Sequence, residues 1–170
     1  GIVARTSFAG MSETITQSLV DVQTEAQLAS QLSANAAKTI EAGSRYLETR
    51  DTTAENAFRK YGWAAHDVQR KMNDRPNQSA TEVATVAVID AKRAQMEDSY
   101  ALAHRLADLG RMDEAHAAAA EARSSIDHLL ENIDRLGNLK ADKVATARDA
   151  LALETQRRSA WLITLIGLAL

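Results

Sequence analysis

The chain has 170 residues, of which 25% are charged, with a formal net charge of −3 and an isoelectric point near 5.8. This balance argues against general nucleic-acid binding, which depends on an excess of positive charge. With one proline and seven glycines the chain has few residues that break helices, so we expect an all-α fold. The absence of cysteine excludes disulfides and thiolate metal sites.

A heptad repeat of small and aliphatic residues runs through the N-terminal part of the chain. Its members alternate by steps of four and three: Ile15, Leu19, Val22, Ala26, Ala29, Ser33, Ala36, Ile40, Gly43 and Leu47. This period of 3.5 residues is typical of helices in bundles and coiled coils. We therefore predict a long first helix that ends near Asp51. Leu28 and Leu32 lie off this seam, where they could face a second copy of the chain.

Two shorter helices are predicted next. The second follows a cap at Thr52 or Thr53 and ends before Pro76, the residue that disfavours helical geometry at the preceding position. The third begins after a cap at Ser79 or Thr81 and ends at Gly110. Their seams are Ala54, Phe58, Tyr61, Ala65, Val68 and Met72, then Val86, Ile89, Arg93, Met96, Tyr100, Ala103 and Ala107.

Arg93 is unusual because it occupies a seam position of the third helix, where an aliphatic residue is expected. A buried guanidinium there requires a partner, either a carboxylate of the fourth helix or a bound anion. The alternative is that its side chain extends from the edge of the seam to water.

A fourth helix is predicted from Asp113 to the end of the chain. Its seam is Ala115, Ala119, Ala122, Ile126, Leu129, Ile133 and Leu136, and it resumes at Val144. The shift is explained by one extra four-residue step through Lys140, a stutter that we expect to unwind or bend the helix near Gly137.

The C-terminal residues suggest a membrane segment. Residues 161–170 carry no charge, and Trp161 has the place of an interfacial aromatic. We interpret residues 159–170 as the start of a truncated transmembrane helix and residues 1–158 as one domain. The alternative is a C-terminal helix packed on the core. Arg157 and Arg158 would favour a cytoplasmic flank by the positive-inside rule, although that rule counts both sides of a span.

The predicted helix lengths indicate how the four helices pack. Helices one and four have about 45 residues each, or roughly 65–70 Å, and helices two and three have about 20 and 30. We predict an elongated antiparallel up-down-up-down four-helix bundle with turns near Asp51 and Gly110 at its distal end. The two long outer helices then lead to the membrane.

Three short stretches carry a family resemblance. Residues 45–51 (RYLETRD) and 74–78 (DRPNQ) resemble turns of the CHASE-type helical sensor, and residues 109–115 (LGRMDEA) resemble a turn shared with chemotaxis transducers. The chain thus resembles the four-helix-bundle extracytoplasmic sensor domain of bacterial chemoreceptors (methyl-accepting chemotaxis transducers) and sensor histidine kinases. The resemblance implies a homodimer at the inner membrane, facing the periplasm or the extracellular side.

The sequence contains no motif for catalysis or for a cofactor. A Gly-rich phosphate loop, a nucleophile elbow and a paired Glu-x-x-His are all missing, so we predict neither an enzyme nor a cofactor. His104 and His116 lie symmetrically about Gly110, and a solvated pair is expected there rather than a metal site. The aromatic residues Tyr46, Tyr61, Trp63 and Tyr100 are interpreted as packing residues rather than as a ligand site.

A small-anion site is predicted at the distal end of the bundle. The predicted topology brings together Arg45, Arg50, Arg105 and Arg111, with Tyr46 shaping the site. Guanidinium groups can hold a carboxylate through two hydrogen bonds. The family resemblance implies that the ligand is an amino acid or a small organic acid. Internal pairing with Glu48, Asp51, Asp108 and Asp113 is the alternative.

Two functions of different class are consistent with the sequence. The first is a signal-input domain that binds a small anion or a periplasmic partner protein and signals through helix four. The second is a membrane-anchored structural spacer without a ligand. A transmembrane helix and an output module after Leu170 would distinguish the first from the second.

Overall fold

The computed structural model describes the backbone of residues 2–168 and the side chains of residues 13–160. It contains four helices: α1 (Ile2–Thr49), α2 (Thr52–Asn73), α3 (Ala80–Asp108) and α4 (Met112–Leu168). No strand occurs between residues 2 and 168, so the all-α prediction and the three predicted breaks are confirmed. By its internal contacts the chain divides into two compact units, Gln27–Leu139 and the pair Gly1–Ala26 with Lys140–Leu170. The predicted domain boundary at residues 158 and 159 stays a prediction.

The unit Gln27–Leu139 is an antiparallel four-helix bundle. Contacts between helices establish the directions: Phe58–Tyr100 and Gln69–Arg93 between α2 and α3, and Gln95–Ser125 between α3 and α4. Contacts of Gly43 with His104 and of Tyr46 with Asp108 show that α1 and α3 run in the same direction. The predicted up-down-up-down topology is therefore confirmed.

Local chemistry at each turn explains where the helices end. Arg50 adopts a φ of 56° after α1, and the side chain of Asp51 accepts a hydrogen bond of 2.8 Å from the Thr53 amide. Asp51, rather than a threonine, is therefore the cap of α2, since its carboxylate reaches the free amide. At the start of α3, Ser79 and Glu82 form a reciprocal capping box.

The turn between α3 and α4 depends on glycine. Gly110 has a φ of +76°, a conformation that side chains with a Cβ disfavour. Its amide donates to Ala107 and the Arg111 amide donates to Leu106, at 3.0 and 2.9 Å. These two bonds form a Schellman motif, which satisfies the last carbonyls of α3 and reverses the chain tightly.

The core of the bundle follows the predicted seams of α2, α3 and α4. The fully buried members include Ala54, Ala65, Ile89, Met96, Ala115, Leu129 and Leu136. The predicted seam of α1 is also buried at Ala29, Ala36, Gly43 and Leu47, but Leu32 is buried in place of its neighbour Ser33, which is exposed. Leucine has more apolar surface to bury than serine. The expectation that Leu32 faces a second copy is wrong.

The unit formed by Gly1–Ala26 and Lys140–Leu170 contains an unusual buried residue. Lys140 is 2% exposed and pairs with Glu25, so the predicted extra step of the α4 seam does pass through Lys140. The expected unwinding near Gly137 is not observed, since residues 137–140 continue the α-helix. An ion pair at a seam position accommodates the shift in register without a break in the helix.

Most of the predicted membrane segment, residues 161–170 with Trp161, lies outside the residues whose side chains the structure describes. In the part of the chain that the structure describes, no helix has a stretch that is both long and apolar enough to cross a bilayer.

Candidate functional site

Two of the five predicted anion-site residues meet at the distal end of the bundle. The hydroxyl of Tyr46 and Nη1 of Arg50 both donate to Oδ1 of Asp108, at 2.6 and 3.0 Å. The guanidinium of Arg50 also lies 5.6 Å from the centroid of the Tyr46 ring. The hydrogen bond to Asp108 is the main reason that the pKa of Tyr46 is raised, since it stabilises the protonated phenol. Asp108 thus occupies the position expected for a ligand carboxylate.

The other three predicted arginines are not part of this cluster. Arg45 lies 3.9 Å from Glu41, Arg111 forms a two-bond ion pair with Glu114, and Arg105 is exposed. The pairing with Glu114 raises the pKa of Arg111. Neighbouring carboxylates therefore engage Arg45, Arg50 and Arg111. The partners of Arg45 and Arg111 differ from the acids considered in the sequence, because residues three and four apart on a helix are neighbours.

His104 lies in an aromatic cluster between α1, α2 and α3. Its ring centroid is 4.5 Å from that of Tyr46, 5.1 Å from Phe58 and 6.0 Å from Tyr100. Nε2 donates to the carbonyl of Gly43 at 3.0 Å. Burial lowers the pKa of His104, so the neutral ring is favoured. The expectation of a solvated pair with His116 is wrong, because His104 is buried in the core while His116 is exposed.

A cavity of about 460 Å³ opens between α2 and α3. Its walls combine aromatic, acidic and basic side chains: Phe58, Arg59, Gly62, Trp63, His66, Arg93, Glu97, Asp98 and Ala101. Gly62 matters for its shape, since a Cβ there would lie 3.3 Å from Oε1 of Glu97. A volume of this size lies within the range of small-molecule sites, about 300–1,000 Å³.

Arg93 lines this cavity and forms hydrogen bonds with four side chains. Nη1 donates to both oxygens of Glu97 at 2.8 Å, and Nη2 contacts Asp90 at 2.9 Å and Nδ1 of His66 at 3.3 Å. Nε donates to the buried amide oxygen of Gln69 at 3.2 Å. Burial disfavours the charge, but the bonds and charge of Glu97 outweigh it and raise the pKa of Arg93. Its partners come from α2 and α3, not from α4 as the sequence suggested.

The interpretation of Trp63 as a packing residue is also wrong. It is 73% exposed at the rim of the cavity, not packed in the core. Its ring meets that of His66 edge to face, with centroids 6.2 Å apart and planes at 86°. The signal was available in the sequence, since Trp63 lies between the seam positions Tyr61 and Ala65 and therefore on another face of α2.

A second cavity, of about 570 Å³, lies beside α1 and α4. Polar side chains on its walls include Ser44, Glu48, Tyr100, His116 and Arg123. The hydroxyls of Ser44 and Tyr100 bond to each other at 2.9 Å, which satisfies both groups internally. Among the described side chains, no group of three His, Asp or Glu residues has the arrangement that a metal ion requires.

These features define an all-α antiparallel bundle with one mixed aromatic and charged cavity on its α2–α3 face. A solved structure described as the periplasmic sensor domain of a sensor histidine kinase is similar, with a TM-score of 0.72 and 16% sequence identity. The similarity covers 81% of this chain and 95% of that chain. The resemblance inferred from the sequence is thus confirmed at the level of the fold. No family model matches the chain, and no curated protein matches it in sequence.

Proposed function

We propose that this chain is the periplasm-facing signal-input domain of a bacterial transmembrane receptor, either a sensor histidine kinase or a chemoreceptor. The observation that carries the proposal is the fold shared with a periplasmic sensor domain over 95% of that chain's length. The absence of a catalytic motif from the sequence agrees with a binding and signalling module. Anchoring through residues 159–170 and homodimerisation belong to the same proposal.

Helix α4 is the element proposed to carry the signal. It is helical from Met112, at the distal turn, to Leu168, within the uncharged C-terminal run. A ligand or a periplasmic partner protein can act only by binding two arrangements of the domain with different affinity. We therefore propose that binding shifts or rotates α4, and that this displacement reaches the membrane.

The proposal includes a small anion at the distal turns as a stimulus. Such an anion would have to displace Asp108 from Arg50 and Glu114 from Arg111, at some cost in lost ion pairs. The test is calorimetric titration of amino acids and small organic acids on the wild type and on Arg45→Ala, Arg50→Ala and Arg111→Ala. Binding that survives all three substitutions would contradict this location.

The placement of the domain can be tested with introduced cysteines, because the chain has none of its own. Asp127→Cys and Ala91→Cys place a thiol at exposed positions of α4 and α3. In cells expressing the full-length receptor, a membrane-impermeant maleimide should label both before lysis. Labelling only after lysis would refute the periplasmic placement. Light scattering on the purified chain tests the homodimer.

The structural-spacer alternative makes a different prediction about output. Deleting residues 137–140 removes the extra step in the α4 seam and should change the reporter output of the full-length receptor. The deletion also removes Lys140, the buried partner of Glu25, so the matched control is Lys140→Met, which loses the same ion pair but keeps the register. Unchanged output in the deletion variant would favour a passive spacer.

A further inference from the structure

We infer that the α2–α3 cavity binds an organic cation, an ammonium compound with small apolar substituents, between the indole of Trp63 and the carboxylate of Asp98. The inference names a ligand class for the signal-input domain and rests on that proposed function for its physiological meaning. Binding itself is a property of the chain and can be measured directly.

The first argument is the exposed indole. Trp63 is 73% exposed although it borders a cavity of about 460 Å³ whose wall also contains Phe58. Its edge-to-face contact with His66 fixes one side of the ring. Tryptophan offers the strongest aromatic surface for a cation, and this attraction increases when a ligand excludes water. An indole held at the mouth of a cavity therefore suits a positively charged ligand.

The second argument is that the floor of the cavity is already neutralised. Arg93 contacts four side chains, those of Gln69, Glu97, Asp90 and His66. Because a guanidinium cannot accept, Nδ1 of His66 accepts and its proton is on Nε2. The positive charge of Arg93 is thus balanced by the carboxylates of Glu97 and Asp90, and the guanidinium positions Glu97 and His66.

The third argument is the charge that remains. Arg59 forms an ion pair with Glu55 on its own helix. Asp98 is exposed on the cavity wall, and its carboxylate makes neither a hydrogen bond nor an ion pair with any side chain of residues 13–160. Among the described side chains, the unpaired charge on the cavity wall is therefore that of Asp98. Together with Trp63 and Phe58, it selects a cation with apolar substituents over an anion.

The experiment uses Trp63 as its own reporter. The chain has two tryptophans, so the Trp161→Phe variant leaves Trp63 as the single indole. Tetramethylammonium and choline are titrated, with 3,3-dimethyl-1-butanol as the uncharged analogue of choline, and indole fluorescence and calorimetric heat are followed. We expect saturable binding of both cations and at least roughly tenfold weaker binding of the neutral alcohol.

Variants then test the two residues. Trp63→Leu and Asp98→Asn, followed by calorimetry, should each weaken choline binding by roughly tenfold or more. Both side chains are exposed, so neither change removes core packing, and circular dichroism checks the fold. Asp127→Asn is the matched control, since it removes an exposed carboxylate from α4 and should leave the affinity unchanged.

Three results would overturn the inference: equal binding of the neutral alcohol, full affinity in Asp98→Asn, or no saturable change with either cation up to on the order of 10 mM. These results are distinct from failure of the proposed function. If no cation binds but the introduced cysteines are labelled before lysis, the input-domain role stands and the ligand class is wrong. If labelling requires lysis, the periplasmic role fails whatever the chain binds.

Discussion

Nζ of Lys140 donates a hydrogen bond of 2.6 Å to Oε2 of Glu25, joining residues 115 positions apart in the sequence. The two side chains are only 3% and 7% exposed, and Lys143 lies 3.6 Å from the same oxygen. Removing two charges from water is costly, and their mutual attraction offsets that cost only when both are present. The pair therefore fixes the alignment of α1 with α4 at this level.

Loss of one partner of this pair should be worse than loss of both. Lys140→Met leaves the Glu25 carboxylate buried beside Lys143 at its longer distance, and we expect the free energy of unfolding to fall by about 3 kcal/mol. The double variant Lys140→Met/Glu25→Met should recover most of this loss, because two apolar side chains can pack at the same place. Urea denaturation at neutral pH provides the measurement. A double variant no more stable than Lys140→Met would contradict the argument.

Replacing Gly43 and Gly137 by alanine should change the free energy of unfolding in opposite directions. A Cβ at Gly43 would lie 3.1 Å from two ring atoms of Tyr100 and 3.2 Å from Phe58, whereas nothing lies within 4 Å of a Cβ at Gly137. Alanine favours a helix by about 1 kcal/mol over glycine. Gly137→Ala should therefore stabilise the chain by about that amount, and Gly43→Ala should destabilise it by about 1–2 kcal/mol through overpacking. Thermal unfolding of both variants provides the comparison, and stabilisation by Gly43→Ala would show that the aromatic cluster can move aside.

His104 should make stability depend on pH. Burial lowers the pKa of His104 in the folded state, and the charge of Arg50 lowers it further. The Gly43 carbonyl, Glu55 and Asp108 act in the opposite direction but do not cancel the effect of burial. The unfolded chain, with a histidine pKa near 6.5, therefore binds a proton before the folded chain does as the pH falls. The stabilisation that comes from the neutral His104 is complete above the unfolded pKa of about 6.5. It is lost progressively as the pH falls towards the lower pKa of the folded state.

The variant His104→Gln tests this pH dependence. Glutamine keeps an N–H donor for the Gly43 carbonyl but cannot titrate, so the decline of unfolding free energy between about pH 7 and 5 should become shallower. His116→Gln is the control, because His116 is exposed and its removal should leave the slope unchanged. Equal slopes for the wild type and His104→Gln would exclude His104 as the source.

Arg93 should not tolerate a lysine. An ammonium has three donors on a single atom and cannot reproduce the planar contacts to four residues, so the nearly buried amide of Gln69 would lose its partner. We expect Arg93→Lys to lower the unfolding free energy by about 2 kcal/mol. Arg70→Lys, which alters an exposed pair with Asp67, should cost less than about 0.5 kcal/mol. Chemical denaturation of the two variants side by side decides the matter.

The fold was largely predictable because the features that end helices are local. Asp51, Pro76 and Gly110 interrupt the chain through capping, steric restriction and a positive φ, and each effect involves only a few neighbouring residues. The core face of α1 was predicted correctly at Ala29, Ala36 and Leu47 but not at Leu32, which is buried where Ser33 was expected. Which of two adjacent residues enters the core depends on the neighbouring helices, which the heptad pattern does not specify.

The candidate site was predictable only in part. The sequence identified Arg93 as a charge in an apolar seam, but its partners on α2 depend on how α2 and α3 align, which no local rule specifies. Of the four predicted arginines only Arg50 joins Tyr46, at the carboxylate of Asp108, while Arg45 and Arg111 pair with acids on their own helices. Trp63 lies off the predicted seam of α2, which is why it is exposed at the cavity.

The contact of Tyr46 and Arg50 with Asp108 has a consequence for how the bundle opens. It joins the last turn of α1 to the last turn of α3, and Arg50 extends the link to Met112 at the start of α4. Amide hydrogens in these three segments should therefore exchange through one cooperative opening, with a common opening free energy, and not by independent fraying of each helix end. The turn around Pro76, which joins α2 to α3, is not connected to this contact, and its amide hydrogens should exchange as a separate segment.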